Sequence, residues 1–233
     1  MRAARRLLIV LLVLAALFVA ADRITLHFAE SQAASRIQSQ RNLSQKPSVS
    51  IEGFPFLTQL ASKKFDEIKL SAAALTVNDG KGGPDIRLQN FRIDAKNVKV
   101  TGNYNGIFAG SGTGTARISY ADLSAALPNK VTVAYGGSPG KVKVSGKVDL
   151  PVLGAQQVSG TADIVVVNGT GISLTNISGI TGVDPTVADL VSSFLQPQLA
   201  LAGLPSGLKL ESVQPGPDGI DVTVSGTNVS LSK

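Results

Sequence analysis

From Lys141 to Leu150 the chain alternates without a break. Val142, Val144, Gly146, Val148 and Leu150 fall on one side, and Lys141, Lys143, Ser145, Lys147 and Asp149 on the other. Successive side chains of a β-strand point to opposite faces, so this segment reads as a strand with one face in a core and one in water. Shorter stretches repeat the pattern: Ile68-Leu70-Ala72, Ile86-Leu88, Phe91-Ile93-Ala95, Val98-Val100, Ala116-Ile118-Tyr120 and Val131-Val133-Tyr135. The alternation changes phase between Leu88 and Phe91, which predicts a bulge near Asn90. Val158–Val167 and Gly171–Ile180 flank Asn168-Gly169, a strong hairpin signal. Further turns are expected at Asn78–Pro84, Gly102–Gly106 and Gln214–Asp218, the last joining Gly207–Val213 to Gly219–Val224.

So many half-apolar strands form a sheet whose apolar face must be covered. Helical patterns are few. Leu57–Lys64 and Ala121–Leu127 read as one or two turns each. One longer helix begins at Asp184, which can cap it, with Pro185 in the first position. Val187, Leu190, Val191, Phe194, Leu195 and Leu199 then make a wide apolar stripe, and Pro197 bends or ends it. The expected fold is α+β: a long curved antiparallel sheet wrapped around one or two helices, leaving an apolar groove. With 233 residues and no Pro/Ser-rich linker, one elongated domain is the simplest organisation.

The N-terminus reads as delivery. Arg2, Arg5 and Arg6 precede the apolar run Leu7–Ala21, the pattern of a secretory signal. Fifteen residues are short of the ~20 a spanning helix needs. Residues 1–21 are therefore a signal peptide or an N-terminal membrane anchor. Arginines before the run place the bulk of the chain outside the cytoplasm. Residues 22–46 read as an amphipathic helix ending near Asn42, on which Ile24, Phe28 and Ile37 share a face, and 47–233 as a single β-rich domain.

Ser48–Phe65 is the other singular stretch. Val49 and Ile51 alternate as a strand, and Gly53 and Pro55 then break it. Proline fixes its own φ and pushes Phe54 out of the α region, while glycine opens conformations that other residues avoid. The elbow holds Phe54, Phe56 and Leu57 close together, as a corner that plugs a core or as the mouth of an apolar ligand site.

Few residues support catalysis. The chain has no cysteine, which excludes disulfides and thiolate metal sites. Its one histidine, His27, lies on the N-terminal helix, a poor place for a triad. Asp66 and Glu67 are adjacent and point apart on a strand. Paired acids across a cleft could cleave glycosides, but stacking tryptophans are absent. Gly110–Gly114 is glycine-rich, lacks a following Lys-Ser/Thr and sits among strands, so it is no phosphate loop. The net charge is +6, and the three N-terminal arginines supply half of it. The remaining 19 basic and 16 acidic residues make a mildly basic surface, not a nucleic-acid footprint.

The elbow Ile51-Glu-Gly-Phe-Pro-Phe-Leu-Thr-Gln59 resembles the opening motif of the LmeA family, phospholipid-binding proteins of the actinobacterial cell envelope. The order of parts is also similar: basic apolar N-terminus, short helix, elbow, charged strand Phe65–Leu70, then Leu204-Pro-Ser-Gly-Leu208 and a closing strand from Gly219-Ile220. The resemblance implies a non-enzymatic envelope protein without cofactor, binding phospholipid and supporting lipid transfer or lipoglycan maturation. It also implies likeness to tubular lipid-binding folds. Expected partners are phospholipid, the membrane surface and envelope proteins. The expected location is the outer face of the cytoplasmic membrane or a periplasm-like space. Apolar patterning supplies the candidate liners: Phe54, Phe56 and Leu57 at the mouth, and Val187, Leu190, Val191, Phe194 and Leu195 along the groove. The alternatives are a module scaffolding envelope biosynthesis enzymes and, behind it, a glycan hydrolase.

Overall fold

A computed structural model describes residues 2–40, 43–77, 86–102, 106–127, 131–150, 154–184, 198–200 and 204–230. In chain order the elements are α1 (Arg2–Gln40), β1 (Ser48–Glu52), α2 (Phe56–Ser62), β2 (Lys64–Val77), β3 (Ile86–Thr101) and β4 (Gly106–Ile118). They continue with α3 (Tyr120–Ala126), β5 (Thr132–Tyr135), β6 (Lys141–Leu150), β7 (Gly154–Val167), β8 (Gly171–Thr181), β9 (Gln198–Ala200), β10 (Leu208–Gly216) and β11 (Gly219–Ser230).

The fold is α+β, with its antiparallel strands shared between two sheets. One runs β1-β2-β3-β4-β11-β10 and the other β5-β6-β7-β8-β9. The chain lays down β1 to β4 as a meander, crosses through α3, builds the second sheet, and returns to add β11 and β10 beside β4. Ser119 makes the crossing by capping α3, its hydroxyl accepting the Asp122 N–H at 3.1 Å.

Local signals act where the sequence places them. Asn168 and Gly169 both have positive φ, and Val167 pairs with Gly171 across their turn. Asn90 (φ 51°) sits where β3 slips register against β4, between Gln89 and Arg92. A second left-handed residue, Asn97 (φ 52°), has a consequence that the alternation did not foretell. Phe65 shares its parity with Glu67 and Lys69, yet Phe65 and its partner Val98 are buried. The last hairpin is tighter than expected. Pro215 pairs with Ile220 and Gly216 with Gly219, leaving only Pro217-Asp218 as the turn. Proline is tolerated there because β10 is an edge strand. The turn expected at Asn78–Pro84 lies outside the described residues, as does the helix expected after Asp184.

Two cores result. The larger joins the sheets: Ile118, Val222, Ile220 and Leu210 from the first meet Val142, Val144, Val158, Ala162, Ile172 and Leu174 from the second. The Leu210 N–H also donates to the Gly169 carbonyl at 2.7 Å, tying β10 to the β7–β8 turn. The smaller core holds Phe56, Phe65, Ala95, Val98, Ala109 and Val229, with Leu26 and Ala29 of α1 against it.

Ile220 is 1% exposed at the junction of the sheets. Ile220→Ala should lower unfolding stability by about 2–5 kcal/mol, as buried Ile-to-Ala truncations do. Denaturant titration followed by circular dichroism measures it.

Candidate functional site

The elbow is built by the residues around it. Gly53 has φ +102°, and a Cβ there would collide with the Asp66 carboxylate and the Gln59 amide. Only glycine fits both the conformation and the space. The Phe54–Pro55 peptide is cis, and α2 starts directly after it. Gln59, nearly buried, holds the two strands beside the elbow. Its Nε2 donates to the Glu52 carbonyl (3.2 Å) and its Oε1 accepts the Asp66 N–H (2.8 Å). From α1, the fully buried Asp22 accepts the Leu57 N–H at 2.8 Å. Glu30 accepts the Ile51 N–H at the same distance.

This frame sends the two phenylalanines in opposite directions. Phe56 is 1% exposed, its ring centroid 6.4 Å from that of Phe65. It is a core residue. Phe54 is 56% exposed, with the Arg23 guanidinium over its ring at 5.0 Å, a cation–π distance. Leu57 is half-buried between them. Val187, Leu190, Val191, Phe194 and Leu195 lie outside the described residues.

The six-stranded sheet has two distinct faces. On one, register aligns Val49, Leu70, Ile93, Gly114, Val224 and Leu210 in a rung across all six strands. The next rung is Ile51, Ile68, Ala95, Gly112, Gly226 and Leu208. β4 contributes glycine to both rungs, and neighbouring side chains take the space over them: Val229 and Leu208 approach Gly112, and a Cβ on Gly114 would come within 2.9 Å of Val224 Cγ2. Leu70, Ala72, Phe91, Ile93, Val213 and Val224 on this side are half-buried. Phe91, Val213 and Val224 pack against the larger core and Ile93 against the smaller. Among the described residues, the helices meet this sheet at its margins, α1 on β1, α2 on β2 and α3 on β3.

The opposite face is polar. A depression of about 490 Å³ is lined by Ser48, Ser50, Lys69, Ser71, Arg92, Asp94, Thr113 and Thr115, together with Leu70, Ile93 and Gly114 of the first rung. Lys69 Nζ lies 3.4 Å from both Glu52 and Glu67. Desolvation raises the Glu67 carboxyl, but hydrogen bonds with Asp94 and Lys69 and the charges of Lys69 and Lys96 outweigh it and hold it below its usual range. Partial desolvation and the neighbouring Glu67 push Asp94 up. Charge, hydroxyls and salt bridges suit this face to water, not to a hydrocarbon chain. Among the described residues, no group of His, Cys, Asp and Glu could hold a metal ion.

An aliphatic, half-buried face with few polar groups suits an apolar ligand. Comparison with known families matches residues 20–225 to the LmeA-like phospholipid-binding family. The chain belongs to that family. The match takes in the elbow, both sheets and α1 from residue 20 onward, so this LmeA-like chain carries the family's pattern over nearly its whole length. No curated protein and no solved structure gives a match. The membership supports a lipid-binding role, in a family of a non-catalytic kind.

Asp22, Glu30 and Gln59 were not singled out by the sequence pattern, because a polar residue that bonds to backbone across the fold leaves no periodic trace. The apolar rungs escaped it for another reason: they depend on strand register. Gln59→Leu removes two buried bonds and leaves the Asp66 N–H without a partner. It should destabilise the elbow by about 1–3 kcal/mol. Hydrogen exchange at the Asp66 amide checks this, with faster exchange expected there than at Val98.

Proposed function

We propose that this LmeA-like protein holds phospholipid acyl chains against the apolar face of the six-stranded sheet, at the outer face of the cytoplasmic membrane. The observation that carries the reading is the rung Leu70-Ile93-Gly114-Val224. Leu70, Ile93 and Val224 on it are only half-buried. Each CH₂ of a chain laid there contributes about 0.8 kcal/mol without directional contacts. The role is binding, in the service of lipid transfer or lipoglycan maturation, and not catalysis. Phe54 and Leu57 stand at the elbow end, and Phe56 supports them from the core. The stripe Val187, Leu190, Val191, Phe194 and Leu195, apolar at helical spacing, is proposed from sequence to line the ligand's other side. Export and residence at the membrane follow from the basic, apolar N-terminus.

Lipid extraction and mass spectrometry of the purified chain test the proposal. Near-stoichiometric phospholipid is expected, and clean protein that takes up no fluorescent phospholipid would refute it. Leu70→Asp places a carboxylate on the half-buried face. Bound lipid should fall about tenfold or more, since an acidic group in hydrocarbon costs ~2.5–3.5 kcal/mol. The circular dichroism spectrum should be unchanged. Phe194→Asp should lower lipid uptake while secretion continues.

A further inference from the structure

α1 is long and apolar enough to cross a membrane, but its strictly apolar run is shorter than the hydrocarbon core, so the residues beside its outer end lie at the boundary. Leu7–Ala21 spans about 22 Å at 1.5 Å per residue, against a hydrocarbon core of ~30 Å. A short span draws its flanking residues toward the hydrocarbon boundary. The helix does not end there: α1 is continuous from Arg2 to Gln40, so the residues after Ala21 keep a fixed place above the run. A polar flank at this level would be costly. The first acidic residue, Asp22, is instead fully buried, its carboxylate taken by the Leu57 N–H and by Arg23 at 3.2 Å. Large apolar side chains at the same level are turned outward. Ile24 is 71% exposed and Phe28, one turn on along the same helix side, 64%. The Asp22–Leu57 bond and the Arg23–Phe54 contact bring the elbow to this height, where Phe54 also faces out.

We infer that Ile24, Phe28 and Phe54 form a collar that seats the elbow end of the domain in the lipid headgroup zone of the membrane that α1 enters. Aromatic side chains favour that zone, and Arg23 can lie along the Phe54 ring while its guanidinium reaches lipid phosphate. Continuity with α1 names the occupant: a lipid surface meets the collar because the same helix carries both. Ile24 and Phe28, which the sequence places on one face of the helix, are both exposed. α1 docks through Asp22, Leu26, Ala29, Glu30 and Ala34, and Ile24 and Phe28 are left free. The orientation also directs the apolar sheet face, which starts at β1 beside the elbow, toward a source of lipid.

The inference rests on the membrane-anchored reading above but not on lipid occupying the sheet. The chain contains no tryptophan, so a single introduced one reports without background. The full chain is reconstituted in phosphatidylcholine–phosphatidylglycerol vesicles with bromine placed near the carbonyl or the methyl end of the acyl chains. Phe54→Trp and Ile24→Trp should show blue-shifted emission and lose fluorescence most to the shallow bromine. Leu14→Trp should be quenched by the deep bromine, and Val165→Trp, exposed on the second sheet, by neither. If Leu14→Trp is quenched and Phe54→Trp behaves like Val165→Trp, the collar is refuted while anchoring stands. If Leu14→Trp is unquenched, α1 does not span and both ideas fall. Quenching of Phe54→Trp should persist in the Leu70→Asp background, and its loss there would overturn the collar as a separate site.

Discussion

Arg117 and Asp221, 104 residues apart, meet in a two-bond ion pair of 2.7 and 2.9 Å. They mark the place where β11 comes back to β4. The register runs unbroken from Ile118–Ile220 at one end to Ser111–Thr227, and resumes at Ala109–Val229. Nearly everything else presupposes this pairing. Without β11, β4 is a bare edge, the sheets lose Ile220 and Val222 from their common core, and the smaller core loses Val229. The ion pair is half in water and contributes little by itself. The ladder and the apolar side chains beneath it carry the stability. Closing so long a loop before its contacts form is the slow step expected of such a topology.

That return also shapes the apolar face. Gly112 and Gly114 of β4 lie opposite Gly226 and Val224 of β11. Glycines there let neighbouring side chains close over the sheet: Val224 reaches over Gly114, and Val229 and Leu208 over Gly112. The same glycines weaken strand propensity locally. The sheet tolerates this because both flanks are paired and the neighbouring strands are rich in aliphatics.

Much of the fold was legible in the alternation of single strands. The two-faced strand at Lys141–Leu150, the Asn-Gly hairpin and the bulge at Asn90 all stand where local pattern placed them, because each depends on neighbours within a few residues. The division into two sheets was not legible, since nothing within β4 says that its second partner is β11 from the C-terminus and not β5. The elbow was half legible. Gly53 and Pro55 announced a break, but the opposite fates of Phe54 and Phe56 follow from α1 docking through Asp22, a contact 35 residues away. The docking side of α1 was not legible either: it is held by Leu26, Ala29 and Ala34 and by carboxylates that bond to backbone, while Ile24 and Phe28 look outward.

Glu30 shows what such a carboxylate can do beyond fastening a helix. Its Oε1 takes the Ile51 N–H on β1, the outermost strand of the larger sheet. An unsatisfied edge amide invites another strand to add itself, the first step of runaway β-association. Here a helix lies over that edge and an acidic side chain occupies the amide. The opposite edge, β10, carries Pro215, and the second sheet ends in β5 and β9, only four and three residues long. A chain so rich in strand therefore offers neighbouring copies little to extend.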